Sequence, residues 1–511
     1  MPGLVRNARA FDRAGPAERR AKARASLQAL LRHALLRSRF YGRSGDAIEH
    51  ALEAGPDDEF FRRFAELPPL TKADLDERFD SLVTDPEITL ARVQEFDRQH
   101  PDGRGVLATA LGSYNVKKTS GTSGRLVYVV DRIDVQRRVT TLVLWRSLVR
   151  VLAQRGLLHL LVPFGRPLAA LARRRAPSTW KPPPGERLAR ALRPALLVFV
   201  HRGNRSVYLG ATGAQLPLLA RLLLHVTILA HDESLQAILE RTQWLQPELL
   251  FGLPSRIEWL ARAQLEGALS IAPDLVYVGG ETLHDELFDL FRRAWPGAMV
   301  LNTYGATETK PIALACAECG ELHVCEDLVH LELCDEAGGE AQPGRPAARV
   351  FATSLWNFTM PVLRYEMADS IEPLPDAGCA WRTRRIRVRG REPAFLWVVN
   401  GRTGDWLPLN GRMLKERLVQ MPEVRGFRVR HPEPRRIELD FVVDRVEPTA
   451  VARVEAGARG CLQALLAEHG GWPLAEVLPQ IEVRVFDADG WNEAGGKLNS
   501  IHSAVLPPAL A

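Results

Sequence analysis

KKTSGTSGRLVYVV, the stretch Lys117–Val130, sets a run of small hydroxyl and glycine residues directly before an apolar, strand-like segment. Such residues leave backbone N–H groups free to wrap phosphate oxygens, and glycine permits the close approach. The run is not a Walker A loop, because GxxxxGK[ST] occurs nowhere in the chain. Alone, a Ser/Thr/Gly run is more often an ordinary loop, so its meaning depends on what surrounds it.

From about residue 110 onward, short apolar strands alternate with helical segments. The strand-like runs are Leu157–Pro163, Ala195–His201, Val226–Ala230, Leu249–Gly252, Leu275–Val278 and Val300–Asn302. That alternation predicts an α/β fold with parallel-type sheets. Residues 1–60 read as helical, with apolar positions three and four apart through Leu27–Leu35. Arg173–Arg190, rich in Pro and Arg, reads as an exposed or disordered loop. The character changes near Gly390-Arg391. Beyond it come strand-like Gly426–Arg430 and Ile437–Val443, a helix at Pro448–His469 and strand-like Ile481–Phe486. The expectation is a large domain over residues 1–390 and a small α+β domain over 391–511.

Two further motifs follow apolar strands, where open α/β sheets place their ligands. They are VGGET at Val278–Thr282 and NTYGATE at Asn302–Glu308. Tyr304 can stack on a purine, Thr307 can donate to a phosphate, and Glu308 is the hard oxygen ligand that Mg²⁺ prefers. Next comes MPVLRYEMAD, Met360–Asp369, whose last acid can bridge ribose hydroxyls. The chain then closes on EAGGKLNSI, Glu493–Ile501, a lysine flanked by glycines.

Taken in order, these stretches resemble the adenylate-forming (ANL) superfamily. Its phosphate loop is matched by Ser120-Gly121-Thr122-Ser123-Gly124, and its adenine-side motif by Gly279-Gly280-Glu281. Its YGxTE motif is intact at Tyr304-Gly305-Ala306-Thr307-Glu308, with Asn302 just before it. Its Arg-Tyr-x-x-x-Asp motif is met by Arg364, Tyr365 and Asp369, its hinge by Gly390-Arg391 and its mobile-domain lysine by Lys497. ELPPLTKADL, Glu66–Leu75, after Phe40-Tyr41, is similar to the N-terminal signature of the phenylacetate–CoA ligase and coenzyme F390 synthetase branch. Two departures stand out: Arg125 replaces the usual lysine of the phosphate loop, and Glu392-Pro393-Ala394 replaces the acidic residue after the hinge.

The resemblance implies an ATP- and Mg²⁺-dependent ligase that forms an acyl-adenylate from a carboxylic acid and passes it to a thiol. CoA leads as acceptor, with a carrier-protein phosphopantetheine or an amine as alternatives. A non-catalytic nucleotide-binding relative is the reading of another class, and Glu308 with Lys497 argues against it, because binding alone needs neither. The resemblance also places the acyl pocket at LLFGLPSRIEW, Leu249–Trp259. Phe251, Gly252, Pro254 and Ser255 are its candidates, with Pro254-Ser255 opening a helix as a cap.

Composition narrows the alternatives. The chain has 511 residues, 46% hydrophobic and 25% charged, with a formal net charge of +6. Its basicity comes mostly from arginine, and no zinc-finger, helix-turn-helix or aromatic-plus-basic platform accompanies it, so nucleic acid is not an expected partner. No apolar run reaches the roughly 18 residues of a membrane span, and no apolar signal core follows the Arg-rich N-terminus, so the expected place is the cytoplasm. The sequence is compatible with a monomer or a homodimer. Six cysteines in so long a chain are not a disulfide framework. Cys316, Cys319, His323 and Cys325 crowd together after the Glu308 motif, and Cys379 follows. They read either as reduced thiols or as a zinc site, with Cys316, Cys319, His323 and Cys379 as ligands and Cys325 in reserve. Some members of the resembled branch carry a structural zinc on a similar arrangement.

Overall fold

Leu27, Leu30, Leu31 and Ala34 lie three and four residues apart on the helix Pro16–Arg37, and all four are buried. That spacing draws one apolar stripe, which joins a single core with Phe60 and Phe64 of the helix Asp57–Ala65. The computed structural model describes residues 2–100, 105–118, 127–150, 195–200, 225–230, 235–281, 285–390, 395–410, 414–469, 471–491 and 500–505, apart from isolated positions. The expected strand Leu157–Pro163, the segment Arg173–Arg190, the loop Ser120–Arg125, Arg391 and Lys497 lie outside the described residues.

The chain divides into two compact units, the larger formed mostly by residues up to Arg389 and the smaller by Gly390–Ala511. In the larger unit the hairpin strands are β1 (Leu107–Thr109), β2 (Gly112–Lys118) and β3 (Tyr128–Arg132). The main sheet is built from β4 (Ala195–Val200), β5 (His225–Ala230), β6 (Leu249–Gly252), β7 (Leu275–Gly279), β8 (Met299–Tyr304), β9 (Ala313–Ala315) and β10 (Leu322–Val324). Three further strands, β11 (Val329–Cys334), β12 (Arg349–Ser354) and β13 (Tyr365–Met367), form a separate sheet. Then β14 (Ser370–Leu374) and β15 (Arg385–Gly390) return to the main one. Its order among the described residues is β14-β15-β10-β9-β8-β7-β6-β4-β5.

Neighbours from β5 through β8 run parallel, while β9 and β10 are antiparallel additions. The helices Leu235–Leu245, Pro254–Leu265 and Asp285–Ala294 supply the crossovers that parallel pairing requires. This is a mixed α/β architecture with parallel and antiparallel strands.

The segment Glu66–Leu75 is fastened to the far end of the chain. Leu70 N donates to Arg364 O at 3.1 Å, and Glu366 N donates to Leu70 O at 2.9 Å. Immediately after, Thr71 Oγ1 accepts from Asp74 N at 3.2 Å and Asp74 Oδ2 accepts from Thr71 N at 3.0 Å. This is a reciprocal cap on the helix Lys72–Glu77.

In the smaller unit β16 (Phe395–Val399) pairs with β17 (Trp406–Asn410). A second sheet has the order β20-β19-β18-β21, from β18 (Gly426–Glu433), β19 (Arg436–Val442), β20 (Gln480–Phe486) and β21 (Ser500–Ser503). Val454, Ala458, Leu462, Leu465 and Leu466 of the helix Pro448–His469 share a core with Phe427, Val429, Leu439 and Phe441 of the strands. Among the described residues, no helix is long and apolar enough to cross a membrane.

His431 on β18 is 1% exposed, and its Nδ1 lies 2.9 Å from Ser503 Oγ on the neighbouring β21. Burial pushes its pKa down to about 4, against a smaller opposite pull from the Pro434 backbone. The folded pKa is below the unfolded one, so the unfolded chain binds the extra proton and stability falls as pH drops from about 6.5 toward 4. Between pH 7 and pH 5 His431 should cost about 2 kcal/mol. In denaturant titrations at the two pH values, His431→Gln should lose less stability than wild type by that amount. An equal loss in both proteins would remove His431 as the proton acceptor.

Candidate functional site

The strands β2 and β3 pair as a hairpin, and polar contacts fasten the adjoining ends of both strands. Lys118 faces Tyr128 across the hairpin, and both reach Asp97 of the helix Leu90–Gln99. Lys118 Nζ donates at 2.8 Å and Tyr128 Oη at 3.0 Å. On the opposite face Lys117 forms a buried ion pair with Asp131 and donates to Gln136 Oε1 at 2.8 Å. Asn115 Nδ2 donates to the other Asp131 oxygen at 3.0 Å, and the Lys117 ammonium sits 5.4 Å from the Trp356 ring centre. Asp131 has no exposed surface, so these partners take the place of water.

Parallel pairing sets Gly252 beside Val278 and Gly279 beside Thr303, which brings the loops after β6, β7 and β8 out at one edge. At Gly279 a Cβ would fall 2.2 Å from Thr303 Cγ2 and 3.0 Å from its carbonyl oxygen. Gly280 takes φ +84°, and a Cβ there would meet Leu253 Cδ2 at 2.9 Å. Both glycines are therefore required by packing, whatever else they do. Phe251 stacks on Tyr277, with centroids 5.5 Å apart. The helix Pro254–Leu265 begins with Pro254 in its first turn and Leu253 as its cap, without a side-chain cap hydrogen bond. Ser255 thus lies inside the helix, and the capping role expected for it does not hold.

Glu308 and Tyr365, 57 positions apart in the chain and both buried, meet directly: Tyr365 Oη donates to Glu308 Oε1 at 3.0 Å. The YGxTE and Arg-Tyr-x-x-x-Asp stretches are joined by that bond. Asp369, also buried, follows two residues after β13. Tyr304 Oη reaches Met367 Sδ at 4.0 Å, and Thr307 is half-buried in the turn after β8. Asn302 Oδ1 is buried with no partner among the described residues. Arg364 holds a left-handed φ of 46°, costly for a non-glycine residue. Glu332 pairs with its Nε at 3.0 Å, its guanidinium donates to Leu67 O, and its N–H donates to Thr353 Oγ1 at 2.8 Å. Arg364 is thus a fastening for the Glu66–Leu75 segment.

The sequence reading passed over Lys310. It packs against Gly305, where a Cβ would come 2.8 Å from Lys310 Cβ. Burial pushes its amine down to about 7, helped by Lys117 and opposed by Asp131 and Glu308. Its only signal in the sequence is its position two residues after Glu308.

Cys316, Cys319, His323 and Cys379 offer one ligand atom each, all within 4.8 Å of one another. Cys319 Sγ lies 3.5 Å from His323 Nε2, close to the spacing of two ligands on one tetrahedral zinc. The turn after β9 makes this knuckle: Gly320 N donates to Cys316 O at 2.8 Å with Gly320 at φ +76°. Cys379 is brought in from the segment before β15, where Ala380 N donates to Glu318 Oε2 at 2.8 Å. The His323 ring stacks on Trp381 at 5.1 Å, and burial pushes its pKa down to about 4, so the imidazole is neutral and able to ligate. Burial and the two neighbouring thiols push Cys379 up to about 12. Cys325 is not one of the four. It is buried beside Arg146, which bridges Asp12 at 2.7 Å and Asp327 at 2.9 Å.

No family model matches the chain. Protein CapK of Staphylococcus aureus is 27% identical over 172 residues, which is 33% of this chain and 36% of that protein. The chain thus aligns with only about a third of the length of that curated relative. A solved structure of 2-hydroxyisobutyryl-CoA ligase in the postadenylation state with R3-HIB-AMP has a TM-score of 0.57 at 15% identity. That likeness covers 97% of this chain and 92% of the other. The same ligase with 2-HIB-AMP gives a TM-score of 0.53 at 16% identity, over 94% and 88%. At such identities the likeness is one of fold: nearly the whole chain follows the fold of an acyl-CoA ligase.

Proposed function

We propose that this protein is an ATP-dependent, AMP-forming ligase that activates a carboxylic acid as its acyl-adenylate and transfers the acyl group to a thiol, with CoA the leading acceptor. The supporting observation is the buried contact of Tyr365 with Glu308 at the carboxyl edge of the parallel strands, within the fold of an acyl-CoA ligase. A substrate carboxylate oxygen bonds to the ATP α-phosphorus as the bond to pyrophosphate breaks. Negative charge builds on the phosphate oxygens, and groups aimed at that charge lower the barrier.

In this reading the amides of Ser120-Gly121-Thr122-Ser123-Gly124, with Arg125, cradle the phosphates, and Thr307 donates to one of them. Glu308 holds Mg²⁺, which supplies charge neutralisation when bound. Tyr304 and Gly279-Gly280-Glu281 flank the adenine, the unpartnered Asn302 Oδ1 accepts from its amino group, and Asp369 binds the ribose. Phe251, Gly252, Pro254 and Ser255 line the acyl pocket. The smaller part, residues 391–511, brings Lys497 to the phosphate during adenylation and withdraws it by rotating at Arg391. The thiol sulfur then attacks the acyl carbon and AMP leaves.

Lys497→Ala should therefore abolish acid-dependent exchange of pyrophosphate into ATP, yet leave thiol acylation from a supplied acyl-AMP largely intact. Equal loss in both half-reactions would mean a structural lysine, and no loss in either would take Lys497 out of the site.

The same reading gives Cys316, Cys319, His323 and Cys379 a structural zinc, because three thiols and a neutral imidazole are a closed tetrahedral donor set. Metal analysis of protein prepared without added zinc should find roughly one zinc per chain. Folded protein with almost none would leave four reduced side chains.

A further inference from the structure

One cation beside the proposed acyl pocket has no task in this chemistry. Arg256 lies in the first turn of the helix Pro254–Leu265 and is 5% exposed. Its Cζ sits 4.1 Å from the centre of the Trp259 ring, and its Nη1 is buried with no hydrogen-bond partner among the described residues. An arginine so placed normally carries a paired carboxylate, because an unpaired buried charge is costly. Burial pushes its pKa down to about 10, only partly offset by the field of Glu281.

The backbone makes the position worse for a cation. The first turn of a helix carries partial positive charge, although here Pro254 has no N–H and both Arg256 N and Ile257 N already donate to Leu253 O. Here that turn has no acidic residue and no side-chain cap. Two independent sources of positive character, the uncapped turn and the guanidinium, therefore meet at one place with little to balance them. The place is next to the acyl-pocket loops: Leu253, the residue before the helix, abuts Gly280, and Phe251 stacks on Tyr277.

We propose that Arg256, at the positive end of this helix, binds a second carboxylate on the substrate, so that the acid activated is a dicarboxylic acid. This rests on the acid-activating reading above. A guanidinium gives a carboxylate two parallel N–H donors, and the Trp259 ring supports it from one side. The reacting carboxylate faces the nucleotide while the distal one neutralises Arg256. A monocarboxylic acid of the same length leaves the guanidinium unpaired and is disfavoured for that reason.

The test is acid-dependent pyrophosphate exchange by the full-length protein, with straight-chain mono- and dicarboxylic acids of matched length. Wild type should prefer the diacid by about a hundredfold in kcat/KM. Arg256→Gln should bring that ratio to within a few-fold of one, through a higher KM for the diacid. Arg256→Lys, which keeps the buried charge, should recover part of the preference, and it keeps the test readable if the Gln variant does not fold. An unchanged ratio in a folded Gln variant overturns the proposal, leaving a structural arginine. A rise in the KM for ATP with the acid preference intact also overturns it, assigning Arg256 to a nucleotide phosphate. Exchange driven by monoacids better than diacids in wild type sinks this inference alone. Exchange with no acid at all sinks the ligase reading beneath it.

Discussion

The close approach of Gly279 to Thr303 is the constraint on which the candidate site depends. Parallel strands bring their carboxyl ends to a common edge only while they stay in register, and β7 meets β8 through a glycine with no room for a side chain. A Cβ 2.2 Å from Thr303 Cγ2 and 3.0 Å from a carbonyl oxygen would push the strands apart at their carboxyl end. The displaced loops would be those holding Gly280, Leu253 and Tyr304. The same residues that read as a nucleotide motif in the sequence are thus first a packing solution.

Around this edge, paired charges fasten the elements to one another. Lys117 and Asp131 hold one face of the β2–β3 hairpin, and Lys118 with Asp97 holds the other. Removing one member of a buried pair such as Lys117–Asp131 typically costs about 3–5 kcal/mol, because the other is left charged and dry. Arg364 works in the same way at a distance, tying the Glu66–Leu75 segment beside Tyr365 and so steadying the tyrosine that meets Glu308. Arg146, between Asp12 and Asp327, links the N-terminal helix Pro2–Arg13 to the residues just after β10, close to the cysteine knuckle.

Much of the architecture was legible in the sequence because its apolar runs are short and sharply punctuated. Leu249–Gly252 was read with its observed bounds, and Leu275–Gly279 and Met299–Tyr304 differ from the reading by one or two residues at their ends. The helix Pro448–His469 was read with its observed bounds. The short antiparallel strands β9 and β10 were not legible. At three residues each, they are set by pairing with β8 and β15 rather than by any pattern of their own. The four members of the Cys/His group could be named from spacing and resemblance. That Cys325 stands apart follows from β10 ending at Val324, after which the backbone turns and the thiol faces Arg146. Lys310 and Arg256 escaped notice because burial is a tertiary fact. No local pattern separates a buried arginine from a solvated one.

The central claim is that a substrate carboxylate bonds to the α-phosphorus of ATP, and atom transfer tests it most directly. An acid carrying ¹⁸O in both carboxylate positions should be turned over with ATP and thiol, and the phosphorus products weighed by mass spectrometry. The account predicts one ¹⁸O in each AMP released and none in pyrophosphate. Label in inorganic phosphate with ADP as co-product, or AMP without label, would contradict it.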